Sequence, residues 1–368
     1  MSRSFTFVLL LVVCFALLVG PLAAQDAPEM PLAEHGPYAA GIRTLEFMDD
    51  ARDERPVIVS LWYPGILPPD RVGDLDKLQS ANRAVDDIPF DVSGAPYPIV
   101  LYSHGYGGDR DQLRFVVELL VSHGFVVATV AHEDDTIART LIDRPLDIRF
   151  VIDQLEALNT GGDLGGLMDL DRAGLFGLSD GGYTALTMTG ARIDEAFMTQ
   201  WGTGERDTSD PTDPRNWYPD WEWNALKAYY DQFMPPAEDG FLQPLTDQRL
   251  DAIVSYLPCY AYIFGEEGLA AATVPTLFIG ATNDTECPYE MDAVPAYAGL
   301  GSSDRFMLSL VGGNHGLPIG IHEEAVVHFI TAFFAYYLQG DEEAGQYLNE
   351  EYVNQFDRLA WGTWRPDS

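Results

Sequence analysis

Residues 171–190, DRAGLFGLSDGGYTALTMTG, form the strongest local pattern in the chain. A short apolar run ends at Leu178, a glycine pair follows almost at once, and good helix formers come next, so the predicted order is strand, sharp turn, helix. Ser179 stands on the turn in the pattern Gly177-x-Ser179-x-Gly181. Glycines on both sides permit a turn too tight for a Cβ atom and push the serine hydroxyl outward. The stretch therefore predicts an exposed serine nucleophile, provided that partners follow it in the chain.

Strands and helices alternate on both sides of this stretch. Predicted helices at 109–122 and 147–158 separate apolar runs, and a strongly apolar helix at 322–338 closes the pattern. Strands that alternate with helices pair in parallel and are covered on both faces, so we predict an α/β fold with a mostly parallel eight-stranded sheet flanked by helices. The eight strands are predicted at 42–48, 57–63, 98–103, 125–131, 172–178, 251–257, 275–281 and 305–311.

Residues 191–250 interrupt the alternation after the helix that follows Ser179. The segment is rich in Trp, Tyr, Pro and Asp, and two interpretations stay open: a lid or cap over the site, or a satellite core of its own. Its aspartates lack the glycine and the final glutamate of a calcium loop, so we expect them to be solvated. The residues concerned are Trp201, Trp217, Trp221, Trp223, Asp207, Asp210 and Asp213. The polar tail at 341–368 is expected to dock at the surface.

The first 24 residues have the pattern of a secretory signal peptide. Arg3 gives a small positive region, 5–19 is apolar, and 22–24 offers a small-residue cleavage site. We therefore expect an exported protein with one domain over 25–368 and no stable membrane insertion after cleavage. An uncleaved membrane anchor is the alternative, because the apolar run and the two residues after it just reach the length of a bilayer span.

The composition limits the partners that the protein can have. Among its 368 residues, acidic side chains outnumber basic ones 57 to 21, and the formal net charge is -36. A surface of this charge repels nucleic acid and anionic membranes, so we expect neither as a partner. The hydrophobic fraction of 47% suits one large globular domain. Nothing in the pattern indicates an oligomeric state.

Partners for Ser179 follow it in the chain. A serine hydroxyl is a poor nucleophile at neutral pH and needs a histidine base, which needs a carboxylate to orient it. Asp284 and His315 each come just after a later predicted strand, in the order nucleophile, acid, histidine that such folds use. We predict these three residues to be a catalytic triad. The remaining candidates precede Ser179, lie in the final helix or stand further from a strand end: His35, His104, His123, His132, His322, His328, Asp292 and Asp304.

An acyl-transfer reaction also needs two donors for the oxyanion. One is the backbone N–H of the residue after the nucleophile, here Asp180. The other is expected from the loop HGYGG at 104–108, where Tyr106 takes the donor position. Such chemistry requires no metal ion and no organic cofactor.

Cys259 and Cys287 both fall just past the ends of neighbouring predicted strands. In an exported chain a disulfide between them, near the site, is plausible. Two unpaired buried thiols fit the sequence equally well, because sequence does not give their separation.

These motifs together resemble the α/β-hydrolase superfamily, and within it the group of predicted dienelactone hydrolases and platelet-activating-factor acetylhydrolase-like esterases. Cutinase-like polyester hydrolases share the same plan. The resemblance covers roughly residues 36–338. It rests on YSHGYGG at 102–108, on Ser179 with GGYTAL at 181–186, on VPTLFIG at 274–280 leading to Asp284, and on Asn314-His315.

Three features depart from the family. Its members usually have histidine before the nucleophile and an apolar residue after it, whereas this chain has Leu178 and Asp180. The Asp180 carboxylate is expected to raise the pKa of the histidine and to oppose a developing negative charge. Dienelactone hydrolases proper use a cysteine nucleophile, so that name describes ancestry rather than substrate here.

The resemblance implies a secreted serine hydrolase that cleaves carboxylic esters through an acyl-enzyme, with a small-molecule, short-chain or lipid-like ester as substrate. A polyester hydrolase is one alternative, and an exposed shallow cleft would favour it. A non-catalytic binding module on a hydrolase fold is the other, and Asp180 is the residue in its favour.

Overall fold

The computed structural model describes residues 28–133, 136–203, 209, 213, 216, 218, 223–234 and 239–365. The predicted signal peptide at 1–24 lies outside the described residues. So do most of the residues singled out in the 191–250 segment, namely Trp217, Trp221, Asp207 and Asp210 and the side chain of Trp201.

The described residues build one sheet of ten strands with the order β10-β9-β8-β7-β6-β4-β5-β2-β1-β3. Neighbours from β5 across to β9 run parallel, whereas β2 is antiparallel to β1 and β5, and β10 is antiparallel to β9. The strands are β1 (Ala39–Asp49), β2 (Arg55–Gly65), β3 (Val85–Asp86), β4 (Tyr97–Ser103), β5 (Val126–Ala131), β6 (Met168–Leu178), β7 (Leu250–Tyr256), β8 (Thr276–Ala281), β9 (Arg305–Leu310) and β10 (Leu359–Trp361).

The α-helices cover both faces of this sheet. They are α1 (Leu75–Ser80), α2 (Arg114–Ser122), α3 (Ile137–Gly161), α4 (Asp180–Met188), α5 (Glu195–Thr203), α6 (Trp223–Tyr230), α7 (Gly265–Ala270), α8 (Ala293–Gly299), α9 (Ile321–Phe334), α10 (Glu342–Gly345) and α11 (Glu350–Val353). Helices α2 and α9 pack on one face, and α3 and α4 pack on the other. Side chains alternate between the two cores along β6: Phe176 belongs to the first core and Leu175 to the second.

The α/β class and the mostly parallel sheet are confirmed, but the number of strands is wrong. Each of the eight predicted strands is present, and the two additional strands are β3 and β10, of two and three residues. Both arise in segments that carry no apolar run: β3 lies between the predicted strands at 57–63 and 98–103, and β10 lies in the polar tail. Such short strands form because an existing strand offers its backbone groups, and the sequence pattern does not show this.

Helix α3 is longer than predicted. It spans 25 residues and contains Pro145, whereas the sequence predicts a helix only after that proline. Proline removes one backbone donor and is strongly disfavoured inside a helix, so the pattern breaks there. The helix continues through it because its first half is buried, with Leu141, Ile142 and Arg144 fully inaccessible.

The described part of the 191–250 segment forms a third core rather than a separate layer. Trp223, Leu226 and Tyr230 of α6 pack with Tyr183 of α4 and with α7 and α8. Asp213 is fully buried, so the expectation that it is solvated is wrong. Among the described residues, none of the helices combines the length and apolarity that a membrane crossing needs.

Candidate active site

Ser179 lies on the sharp turn between β6 and α4. Its backbone has φ 60° and ψ -116°, which is unusual for a residue with a side chain. A Cβ atom on Gly177 would lie 1.9 Å from the Gly181 carbonyl oxygen, and one on Gly181 would lie 1.9 Å from the carbonyl oxygen of Ser103. Both positions therefore need glycine, and the close approach sets the serine beside the end of β4.

The three residues predicted as a triad meet in one hydrogen-bonded line. The Ser179 Oγ lies 2.9 Å from Nε2 of His315, and Nδ1 of His315 lies 2.7 Å from Oδ2 of Asp284. The other carboxylate oxygen of Asp284 accepts hydrogen bonds from the amides of Glu286 and Cys287 at 3.0 and 2.9 Å. These bonds fix the carboxylate, and through it the orientation of the imidazole ring.

The charges around His315 favour its protonated form. Burial by itself would lower the pKa of the imidazole, but the hydrogen bond and the charge of Asp284 outweigh it. Glu286 and Asp180 add smaller contributions of the same sign, so the pKa of His315 is raised above its ordinary value of 6.5. A histidine of raised pKa is a stronger base once it is neutral, and it becomes neutral at a higher pH.

A cavity of about 930 Å³ opens above the serine. Gly105 and Tyr106 of the predicted oxyanion loop line it together with Ser179, Asp180 and His315. The Tyr106 side chain is 47% exposed, and Asp180 is buried at the first position of α4. The two backbone groups predicted as oxyanion donors therefore belong to residues that border the same cavity as Ser179.

The cavity walls are aromatic and acidic. Tyr106, Tyr218, Tyr256 and Tyr260 supply four phenol rings, and the only charged side chains among the described lining residues other than the triad are the carboxylates of Asp180 and Glu286. The rings of Tyr218 and Tyr260 lie 4.4 Å apart between centroids. A cavity of this kind suits a neutral or cationic molecule with apolar parts and repels an anionic one.

A buried carboxylate accepts hydrogen bonds from one of these tyrosines and from the backbone. The Tyr218 hydroxyl donates to Oδ2 of Asp292 at 2.5 Å, and the amide of Ala261 donates to Oδ1 at 2.8 Å. Burial raises the pKa of Asp292 to about 7 in spite of these bonds. Asp292 was set aside as an acid of the triad on sequence grounds, and the structure places it behind the cavity wall instead.

Cys259 and Cys287 are joined in a disulfide, with their Cα atoms 4.9 Å apart. Its sulfur atoms contact two of the residues predicted as a triad: Sγ of Cys259 is 3.1 Å from Oγ of Ser179, and Sγ of Cys287 is 3.9 Å from Nε2 of His315. These two sulfur atoms and the imidazole are the kind of group that holds zinc. The disulfide leaves no thiolate to bind a metal, so the group does not fit a metal centre.

A second set of buried polar residues lies under the oxyanion loop, and sequence reasoning missed it. Nδ1 of His132 lies 3.0 Å from Oδ2 of Asp147, and its Nε2 lies 3.0 Å from Oγ of Ser103. Burial outweighs the hydrogen bond that His132 donates to Asp147 and lowers the pKa of His132 to about 3, so this ring is neutral. All three side chains are inaccessible to solvent. They therefore form a structural support rather than a second reactive centre. In the sequence only Ser103 adjoins the loop, and nothing marks His132 or Asp147 as its neighbours.

Comparison with known proteins supports an esterase group. A family model for platelet-activating factor acetylhydrolase, isoform II, matches residues 78–147. A platelet-activating factor acetylhydrolase of Cavia porcellus is 42% identical over 48 residues, which are 13% of this chain and 11% of that relative. With the α/β fold, these matches support a platelet-activating-factor-acetylhydrolase-like group of α/β-hydrolases, as the resemblance predicted. The family match ends before Ser179, so the roles of the three triad residues rest on geometry.

Proposed function

We propose that the chain is a serine carboxylic-ester hydrolase that works through an acyl-enzyme. The observation that carries this proposal is the line of hydrogen bonds from Ser179 through His315 to Asp284, at 2.9 and 2.7 Å, on the floor of an open cavity. No metal ion or organic cofactor enters the reaction. The small ester or lipid-like ester expected as substrate is accommodated by the size and aromatic lining of that cavity.

In the first half of the reaction, Oγ of Ser179 attacks the ester carbonyl carbon while Nε2 of His315 takes the hydroxyl proton. The Nδ1–H of His315 donates to Asp284, whose negative charge stabilises the imidazolium. The carbonyl oxygen becomes an oxyanion held by the N–H groups of Tyr106 and Asp180. The C–O bond to the alcohol then breaks, and the imidazolium returns the proton to the departing alkoxide.

In the second half, a water molecule gives a proton to the same imidazole and attacks the acyl-enzyme carbonyl. Collapse of the second tetrahedral intermediate releases the carboxylic acid and returns the proton to Ser179. The Asp180 carboxylate opposes the negative charge at both stages, and its contribution to the raised pKa of His315 makes the base stronger. Asp180 thus has two opposite effects on the rate: its charge destabilises the oxyanion, and it strengthens the base.

The described residues of the 191–250 segment favour a small or lipid-like ester over a polyester. Tyr218 and Ala225 come from this segment and line the cavity, so the segment adds a wall beside Ser179 that a flat polymer surface would have to pass. We propose that the segment acts as a cap in this sense, and that the protein is exported, as the pattern of its first 24 residues predicts.

Hydrolysis of p-nitrophenyl esters from acetate to palmitate, at low and at high salt, tests the proposal. Wild type should hydrolyse part of the series, and Ser179→Ala should lose the activity. Ser302→Ala removes a hydroxyl that is also buried but lies outside the cavity lining, and it should keep full activity. A wild-type protein that is inert on every ester in both salts would instead favour the non-catalytic binding module.

A further inference from the structure

A buried guanidinium group lies under the loop that carries Tyr106. Arg144 comes from the first half of α3 and has no solvent-accessible surface. Its Nη1 donates to the carbonyl oxygen of His104, and its Nη2 donates to the carbonyl oxygen of Gly105 at 3.3 Å. The planar fork of arginine can hold two successive carbonyl groups at once, which a lysine ammonium cannot do with the same geometry.

The Gly105 carbonyl accepts two more hydrogen bonds, one from the His104 ring and one from the amide of Gly108 at 3.0 Å. Nδ1 of His104 lies 2.8 Å from this carbonyl oxygen, and Nε2 of the same ring accepts the backbone N–H of His132 at 3.1 Å. Because Nε2 accepts, the proton of the neutral ring is on Nδ1, and Nδ1 donates to Gly105. The His132 ring is itself fixed by Asp147 and Ser103.

The geometry of one peptide unit links these contacts to the reaction. The Gly105 carbonyl and the Tyr106 N–H belong to the same planar trans peptide, so they point in opposite directions. Donors from Arg144 and His104 hold the carbonyl towards the protein interior. The N–H is thereby directed to the other side, and the cavity that holds Ser179 is bordered by these same two loop residues.

We propose that Arg144 is a positioning residue for the oxyanion site: it clamps the His104 and Gly105 carbonyls and so aims the Tyr106 N–H at the oxyanion. A carbonyl that accepts from a cation also polarises its amide, which makes the N–H a stronger donor. The inference rests on the proposed esterase function.

Two substitutions of Arg144 separate the contribution of its two-pronged hydrogen bonding from that of its positive charge. Arg144→Lys keeps the charge and loses the two-pronged geometry, and Arg144→Gln loses both. Removal of one oxyanion donor costs about 100- to 1,000-fold in kcat. Because the donor is misdirected rather than removed, we expect a loss of roughly tenfold for the lysine variant and, for the glutamine variant, a loss of about 100-fold at the low end of that range. Arg149→Lys, in the same helix but outside the cavity lining, is the matched control and should keep the wild-type kcat.

A comparison of the changes in kcat, in KM and in inhibitor affinity distinguishes a positioning role of Arg144 from a general loss of structure. KM should stay within about twofold of wild type, because the ground-state carbonyl makes little use of the oxyanion donors. The affinity for phenylboronic acid, which forms a tetrahedral adduct with the serine, should fall by the same factor as kcat/KM. Equal kcat values for wild type and both Arg144 variants would overturn the proposal, and so would a change confined to KM.

A measurement on wild type keeps the inference testable if the variants do not fold. The amide proton of Tyr106 should shift downfield in the NMR spectrum when phenylboronic acid is added, because it then donates to a charged oxygen. An unchanged Tyr106 amide in an inhibited enzyme would refute the assignment of the donor. If wild type has no activity on any ester, the proposed function fails. If wild type is active and Ser179→Ala is not, the proposed function stands, and the results for the Arg144 variants and the Tyr106 amide then test only the role of Arg144.

Discussion

Removal of the disulfide should lower the midpoint temperature of unfolding by an amount that follows from the length of the loop it closes. The bond closes a loop of 28 residues between Cys259 and Cys287. By the chain-entropy relation, a loop of this length destabilises the unfolded state by about 3.5 kcal/mol. With an unfolding entropy of about 2.1 cal/mol/K per residue, a chain of 368 residues has roughly 0.8 kcal/mol/K at its midpoint. The double variant Cys259→Ala/Cys287→Ala should therefore unfold about 5 °C below wild type.

Calorimetric scans with and without a dithiol reductant provide the assay and its control. Reductant should lower the wild-type midpoint towards that of the double variant and leave the variant itself unchanged, which separates the lost bond from the lost packing of two sulfur atoms. Asp284 keeps its hydrogen bonds from the amides of residues 286 and 287, so ester hydrolysis at 25 °C should persist in the variant. A wild-type midpoint that ignores reductant, together with a variant within 1 °C of it, would refute the reasoning.

Three further substitutions have defined outcomes. Asp180→Asn should move the acidic limb of the kcat/KM–pH profile to lower pH, because Asp180 helps raise the pKa of His315; a limb that stays in place contradicts this. The raised pKa of Asp292, about 7 against 3.8, contributes a loss of stability as pH rises from about 4 to 7. Asp292→Asn should remove this contribution, so the stability of the variant relative to wild type should rise with pH in melts across this range. Gly181→Ala should abolish activity or soluble expression, whereas Gly161→Ala, where an added Cβ meets nothing within 4 Å, should retain both.

The sequence was sufficient for the parts of the fold that rest on local patterns. The run that ends at Leu178 and the glycines around Ser179 define strand, turn and helix within a few residues, so the order of elements there follows from short-range chemistry. Apolar runs of strand length mark each long strand in the same way. The chain order of Asp284 and His315 after later strands then predicts which side chains approach the serine, because the carboxyl ends of parallel strands meet at one edge of a sheet.

Contacts between residues distant in the chain could not be predicted in this way. Nothing in the sequence around Arg144 or His132 indicates that they lie under the loop at 104–108, because neither belongs to a motif and the proline after Arg144 suggests a break in the helix. Asp213 looks like a solvated aspartate for the same reason. Its burial depends on how the 191–250 segment packs, which is a tertiary effect that overrides local composition.

The three residues of β10 have a consequence for how copies of this protein meet one another. They pair with Leu308, Ser309 and Leu310 of β9, and the amide of Trp364 then donates to the hydroxyl of Tyr289 at 2.8 Å. Without them, β9 would be an uncovered, largely apolar edge strand whose backbone groups could pair with a strand of another molecule. By covering β9, the tail hinders strand pairing between molecules. The covered strand is the one that leads directly to His315.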